Sequence, residues 1–359
     1  MPDKPLIVIT GAAGNLGRSL GKALGNSYAV VGLDTQAPDL GFPVIEVDLT
    51  EDESVEDALA EVRRNHGNRI ASVLHLAAFF DFSGEENPLY DAVNVEGSRR
   101  LVRGLAGFEV DQFVYSGTML VHAPGEPGQR IDETTRIDPQ WAYPRSKAAA
   151  EQAIREERCA MPVVFLHLAG LYDEQTSVPT FAHQIARIYE RNLQSRFYSG
   201  DMRAGQAMVH RDDLIDAFLR TVERRGSLAS ETVLLVGEQD AIGYGDLQDR
   251  LGCLIHGEAE WTTIRLPSLV AAVGAWVQDK AEPLIPDAID KGERPFIQPF
   301  MTRMASDHYA LDTSKARALL GWQPRHSLAD ELPRIVAALK DDPAAWYKAN
   351  GIAPPDFEA

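Results

Sequence analysis

Cysteine is nearly absent from this 359-residue chain: Cys159 and Cys253 stand far apart, without metal-ligand spacing around them. That excludes a disulfide framework and a zinc–cysteine site, leads us to expect no bound metal, and fits a reducing, cytoplasmic setting. Long hydrophobic runs are missing too. The longest apolar stretch, 266–277, is broken by Pro267 and Ser268. It falls short of the roughly 20 residues a spanning helix needs, so no membrane span is expected. The opening Met1-Pro2-Asp3-Lys4-Pro5 has no cleavable signal pattern. Positive charge is scarce: 35 Lys and Arg stand against 53 Asp and Glu, for a net charge of -18. Such a surface repels phosphate backbones and anionic lipid, which argues against nucleic-acid and membrane-surface partners. A small phosphate-bearing ligand is still possible, because backbone amides at a helix N-terminus can hold one locally.

What is present is an ordinary globular mixture, 45% hydrophobic and 25% charged, long enough to bury a full core. In the first two thirds, short β-branched runs at 6–10, 28–33, 44–47, 72–76, 112–116 and 163–168 read as strands. Helical patterns at 16–24, 54–64, 89–105 and 143–158 lie between them. The strands are apolar on both faces, as strands buried between helical layers must be. Alternating strand and helix predicts an α/β fold with a doubly wound parallel sheet. After about residue 170 the rhythm loosens. Helices are expected at 180–192, 212–223, 245–251, 269–279, 314–320 and 328–340, with a Pro-rich loop or lid at 281–300. The expected division is a cofactor domain at 1–170, to which 205–236 returns, a smaller substrate-binding part at 171–340, and a tail at 341–359 carrying a short helix.

The first strand runs into Gly11-Ala12-Ala13-Gly14-Asn15-Leu16-Gly17 and then a helix. Small residues let the backbone approach a pyrophosphate, whose charge the helix N-terminus stabilises. Asp34 ends the second strand. A carboxylate there accepts hydrogen bonds from an adenosine ribose and repels a 2′-phosphate, which favours NAD over NADP; the plain alternative is a turn aspartate. Asp48 and Leu49 follow the third strand, where an adenine edge belongs. Asp48 reads equally well as part of a helix start.

With these residues in view, the chain resembles the extended short-chain dehydrogenase/reductase family, also called the NAD-dependent epimerase/dehydratase family. Further motifs follow in order: His75-Leu76-Ala77-Ala78, Asn94 within Val93-Asn94-Val95-Glu96-Gly97, Met208-Val209-His210-Arg211-Asp212-Asp213, and Leu311-Asp312-Thr313-Ser314-Lys315-Ala316 with Leu320-Gly321-Trp322-Gln323-Pro324. The resemblance spans 5–338. It implies a Rossmann-type fold, NAD as cofactor, and cofactor contacts from Leu76, Ala77, Ala78 and Asn94 beside those already named. It also implies a homodimer through the helices at 89–105 and 143–158.

Tyr143-Pro144-Arg145-Ser146-Lys147 opens a helix with a tyrosine and lysine at i, i+4 on one face. A free phenol is a poor base at neutrality. A neighbouring ammonium and an oxidised nicotinamide favour the phenolate, which can then take a hydroxyl proton while hydride leaves the same carbon. By the resemblance, Lys147 also holds the nicotinamide ribose. Thr118, in Phe113-Val114-Tyr115-Ser116-Gly117-Thr118, takes the place of the family's catalytic Ser/Thr, and Ser116 is expected to touch cofactor or backbone.

Departures from the family pattern narrow the reaction. Family 4,6-dehydratases place an acidic pair directly after the Ser/Thr; Met119 and Leu120 stand there and cannot protonate a leaving hydroxyl. Dehydration is therefore not expected. Gln206 occupies the position of a usual diphosphate arginine, with Arg203 and Arg303 as candidate substitutes. Phe79, Phe80 and Phe82 flank the expected mouth of the site, the apolar 269–277 segment carries Trp276, and His122 is a candidate lining residue near the reacting carbon. By family weight the first expectation is a nucleotide-sugar epimerase. The second is a hydroxysteroid-like or other alcohol dehydrogenase. A non-catalytic NAD-sensing protein is the remote third, opposed by retention of the tyrosine–lysine pair.

Overall fold

The computed structural model describes residues 4–81, 84–266 and 304–355. Phe82, Trp276, Arg303 and the expected helix and loop between 267 and 303 lie outside the described residues. A seven-stranded parallel sheet forms the centre. Its strands are β1 (Leu6–Thr10), β2 (Ala29–Asp34), β3 (Val44–Glu46), β4 (Ser72–His75), β5 (Phe113–Thr118), β6 (Val163–Leu168) and β7 (Glu231–Val236). They lie in the order β3-β2-β1-β4-β5-β6-β7. The expected Rossmann-type doubly wound sheet is therefore present. β7, not foreseen as a strand, extends it by pairing with β6 from Glu231↔Val163 to Val236↔Leu168.

Successive strand residues serve opposite faces. Ile7 and Ile9 join one core cluster and Leu6 and Val8 the other. The first cluster is closed by α1 (Asn15–Leu24), α6 (Arg211–Glu223) and α8 (Ser314–Leu320); the second by α2 (Asp52–His66), α3 (Gly97–Leu105) and α4 (Ala142–Glu157). A third apolar cluster draws on α5 (Pro179–Tyr189), α7 (Tyr244–His256), α9 (Leu328–Asp341) and α10 (Pro343–Ala349). Trp346 and Tyr347 bury α10 in it, and Asp342 caps that helix by accepting from Ala345 N at 2.9 Å. No helix among the described residues is long and apolar enough to cross a membrane.

One element departs from the expected form. The segment before α3 is a π-helix, Tyr90–Glu96. Wide turns of this kind recur at functional sites, and here one puts Asn94 inward, 1% exposed. The strand order reverses between β1 and β4, which opens a crevice at the carboxyl ends of the strands.

Candidate active site

The crevice floor begins at the turn after β1. Gly11 N donates to Leu33 O at 2.9 Å, which ties the turn to β2. α1 then starts without a side-chain cap and without an acidic residue in its first turn. Its dipole and amides are thus left for an anion. Gly17 packs so tightly that a Cβ there would stand 2.3 Å from Gly11 O. Asp34 Oδ2 accepts from Ala13 N at 2.8 Å, so the carboxylate is fixed at the rim of the same turn. An uncapped helix start, a backbone-lined turn and an anchored carboxylate form a set that fits a dinucleotide.

Across the crevice, Leu76 N and Ala77 N both donate to Thr10 Oγ1 at 3.2 Å. The Thr10 hydroxyl proton is then free for His75 Nδ1 at 2.7 Å, and His75 Nε2 donates to Ser98 Oγ at 2.9 Å. This wiring keeps His75 neutral; burial and then the nearby Lys147 charge push it down to about 3. Ala78, beyond it, is exposed.

Three expected cofactor contacts have other uses. Asn94 Oδ1 accepts from Phe79 N at 2.7 Å, while its Nδ2 donates to Phe79 O at 3.0 Å and Ser146 Oγ at 2.9 Å. Both amide protons are spent, so Asn94 braces the Phe79 segment against α4. Ser116 Oγ donates to His75 O at 3.0 Å, a backbone contact. Asp48 Oδ1 accepts from Thr50 N and Thr50 Oγ1 at 2.8 and 2.7 Å, which makes it a turn residue ahead of α2. Leu49 is buried beside Gly97.

α4 sets Tyr143, Lys147, Glu151 and Arg155 one turn apart on one face. The Lys147 ammonium lies 4.5 Å from the Tyr115 ring centroid and 6.0 Å from that of Tyr143. Lys147 is 2% exposed. Burial pulls its affinity for a proton down to about 7, against a smaller upward pull from Glu151. The expectation of a phenol pulled down by that ammonium is not met in the isolated chain. Burial, then Tyr90, raise Tyr143 above the ordinary phenol range. Thr118 ends β5 and accepts from Leu120 N at 3.3 Å, capping the short 3-10 turn Met119–Val121.

Aromatic rings surround Tyr143. Phe80 meets it edge-on at 4.7 Å, Trp141 lies at 5.6 Å and Tyr90 at 6.5 Å. Phe79 packs edge-on against Tyr90 at 5.0 Å. Phe80 is 47% exposed.

His122 does not line this space. It is 1% exposed; its Nδ1 meets Thr135 O and its Nε2 meets His167 Nδ1, each at 2.8 Å. Both ring nitrogens are committed, so it cannot serve substrate. Arg203 projects into solvent and chelates Asp201 through Nε and Nη2 at 3.1 and 2.6 Å. It lines a shallow groove with Gln129, Arg130 and His308. Gln206 pairs through its backbone with Tyr309. Asp307 stands nearby, and burial lifts its carboxyl to about 6. A separate trio, His210, Asp212 and His326, has ligand-type atoms within 4.8 Å of one another. The two imidazoles stack at 4.0 Å and 25°, which points their lone pairs side by side rather than at a common centre.

A family model described as NAD dependent epimerase/dehydratase matches residues 7–237, more than half of the chain. The chain belongs to that family. It is an enzyme family, and its cofactor is NAD. Sterol-4-alpha-carboxylate 3-dehydrogenase (decarboxylating) of Saccharomyces cerevisiae is 24% identical over 303 residues, 81% of each chain. UDP-glucose 4-epimerase of Mycolicibacterium smegmatis is 27% identical over 350 residues, covering 92% of this chain and 96% of its own. Among solved structures, UDP-glucuronic acid 4-epimerase of Bacillus cereus, in complex with UDP-glucuronic acid and NAD, superposes with a TM-score of 0.66 at 20% identity, covering 94% and 99% of the two chains. That likeness speaks for the fold. The relatives thus include sugar-nucleotide and sterol enzymes at similar distance.

Glu151, His75, Tyr90 and Trp141 were not singled out as site residues from the sequence. Glu151 had a readable signal: it continues the Tyr143–Lys147 spacing by one more turn.

Proposed function

We propose that the protein is an NAD-dependent dehydrogenase that oxidises a secondary alcohol on an apolar, cyclic substrate. One observation carries the choice: the candidate base Tyr143 is approached through an aromatic collar whose outermost ring, Phe80, is 47% exposed. Large exposed aromatics beside polar chemistry suit an apolar ligand with one oriented oxygen. The candidate diphosphate arginine among the described residues points the same way. Arg203 is already paired with Asp201.

In this reading the backbone of Gly11 to Gly17 and the α1 N-terminus hold the pyrophosphate, and Asp34 holds the adenosine ribose. Bound NAD supplies the hydride acceptor and a positive charge beside the phenol. Thr118 orients the substrate oxygen, Tyr143 removes its proton, and Lys147 stabilises the resulting phenolate. Lys147 is buried and Tyr143 half-buried, which strengthens their mutual attraction when both are charged. The 1–170 segment, with α6, β7 and α8 returned to its sheet, works as the cofactor unit, and α5, α7, α9 and α10 form the substrate unit. The chain pairs as a homodimer through the helices at 89–105 and 143–158; a monomeric mass at micromolar concentration contradicts that pairing.

A second reading, a nucleotide-sugar epimerase, is favoured by the length over which the mycobacterial epimerase aligns and by the Arg130–Arg203–His308 groove. A substrate screen separates the two. UDP-, GDP- and dTDP-sugars are compared with hydroxysteroids and smaller alcohols, following NADH and epimer together. NADH accumulation with the apolar alcohols is expected; epimer formation without net NADH overturns the dehydrogenase reading.

A further inference from the structure

Behind Lys147 lies a buried chain of three titratable side chains. His122 is 1% exposed, His167 1% and Glu151 3%. The chain runs from Thr135 O to His122 Nδ1, from His122 Nε2 to His167 Nδ1, and from His167 Nε2 to Glu151 Oε1, with each contact at 2.8 Å. Its proton count follows from donor bookkeeping. Thr135 O can only accept, so His122 Nδ1 carries a proton. Burial, and then His167, hold His122 down to about 4, so it is neutral; its Nε2 accepts and His167 Nδ1 donates. One proton remains, shared between His167 Nε2 and Glu151 Oε1. Arg155 Nη2 sits 3.3 Å from the other carboxylate oxygen, which favours the ionised form of Glu151. Space for the pair is made at Gly117, where a Cβ would fall 2.9 Å from His167 Cδ2 and 3.2 Å from Glu151 Oε1.

We propose that His122, His167 and Glu151 form a positioning relay for Lys147, storing one proton at the His167–Glu151 contact and so keeping a carboxylate one helical turn from the lysine. The proposal rests on the reading of Tyr143 and Lys147 as the reactive pair. Among the described residues, these groups face the relay. Lys147 is met by Tyr115 from β5, His75 from β4, and Tyr143 and Glu151 from its own helix. Glu151 is met by His167 from β6 and by Arg155, which also pairs with Glu231 of β7 at 2.8 Å. His122 faces the Thr135 carbonyl, with Asp132 beyond it.

Two measurements test it. Long-range proton–nitrogen NMR on histidine-labelled wild-type protein reads the tautomers without any turnover. The expected result is His122 as the Nδ1–H form, without titration in the neutral range, and His167 protonated at Nδ1. An Nε2–H form of His122, or two freely titrating rings, overturns the relay whatever becomes of the catalytic assignment. The second is the pH profile of kcat for Glu151→Gln, His167→Leu and His167→Arg. Glu151→Gln and His167→Leu are expected to move the limb belonging to Lys147 toward acid, with KM for NAD within about twofold and kcat at neutral pH down about tenfold. His167→Arg keeps an anionic Glu151 and is expected to restore the limb. Equal pH profiles in all three variants, with losses only in folded yield, reduce the chain to a packing role and overturn the proposal.

Discussion

Replacing Lys147 by methionine is expected to abolish turnover and to stabilise the fold. The side chain is 2% exposed, and burial depresses its proton affinity from 10.5 to about 7. A depressed group contributes stability that is fully present above its unfolded value and is lost as pH falls through its folded value. Wild-type protein near neutrality therefore carries the cost of burying an ammonium that the unfolded chain keeps protonated in water. That depression corresponds to about 5 kcal/mol in the acid limit, of which about 4 kcal/mol is felt at neutral pH. Methionine has a similar length and no charge, and Glu151 keeps His167 and Arg155 as partners after the change. The gain is an upper bound of order 4 kcal/mol, reduced by any packing defect the thioether leaves. The assay is urea unfolding of both proteins at about pH 8 and about pH 6, where the gap is expected to widen by about 1 kcal/mol on acidification. A variant less stable than wild type, or a gap that does not grow toward acid, refutes the description of Lys147 as a buried, strained cation. Such a group is what a site built for chemistry rather than stability would contain.

Three further outcomes follow from the geometry. Gly17→Ala forces a Cβ to 2.3 Å from Gly11 O; calorimetry is expected to show NAD affinity down by more than about tenfold, with a stability loss of about 1–3 kcal/mol. Asp34→Asn keeps an acceptor for Ala13 N while removing the charge that repels a 2′-phosphate; the NADP-to-NAD ratio of kcat/KM is expected to rise on the order of a hundredfold. Burial raises the Glu238 carboxyl from 4.5 to about 7, with Tyr172 Oη and Leu328 N donating to it. Its contribution is fully present below the unfolded value and is lost as pH rises through about 7. Urea midpoints of wild type are therefore expected to fall from slightly acid to slightly alkaline pH by an amount worth about 1 kcal/mol, a drop that Glu238→Gln removes.

The strands were legible because each buried run is apolar on both faces: β1 and β6 have the bounds the sequence suggested, and the others differ by one or two residues. β7 was harder. It opens on Glu231, whose carboxylate is claimed by Arg155 and Arg158, so its apolar text is only its last four residues. The π-helix was invisible because apolar spacing over seven residues cannot separate a wide turn from an α turn. Within the site, Tyr143, Lys147, Thr118 and the glycine turn were readable from short-range spacing. His122 was not, because its partner arrives on another strand; Asn94 was assigned to the cofactor when its amide braces the Phe79 segment against α4, and of the two uses expected of Ser116 its hydroxyl takes the backbone one. Contacts distant in sequence decided each of those three.

The most direct test of the central claim is single-turnover NADH formation by wild type and Tyr143→Phe, with NAD bound and the best alcohol from the substrate screen. The account predicts NADH formation slower by about 10²–10⁴-fold in the variant, with NAD affinity unchanged. NADH formation by Tyr143→Phe at the wild-type rate contradicts it.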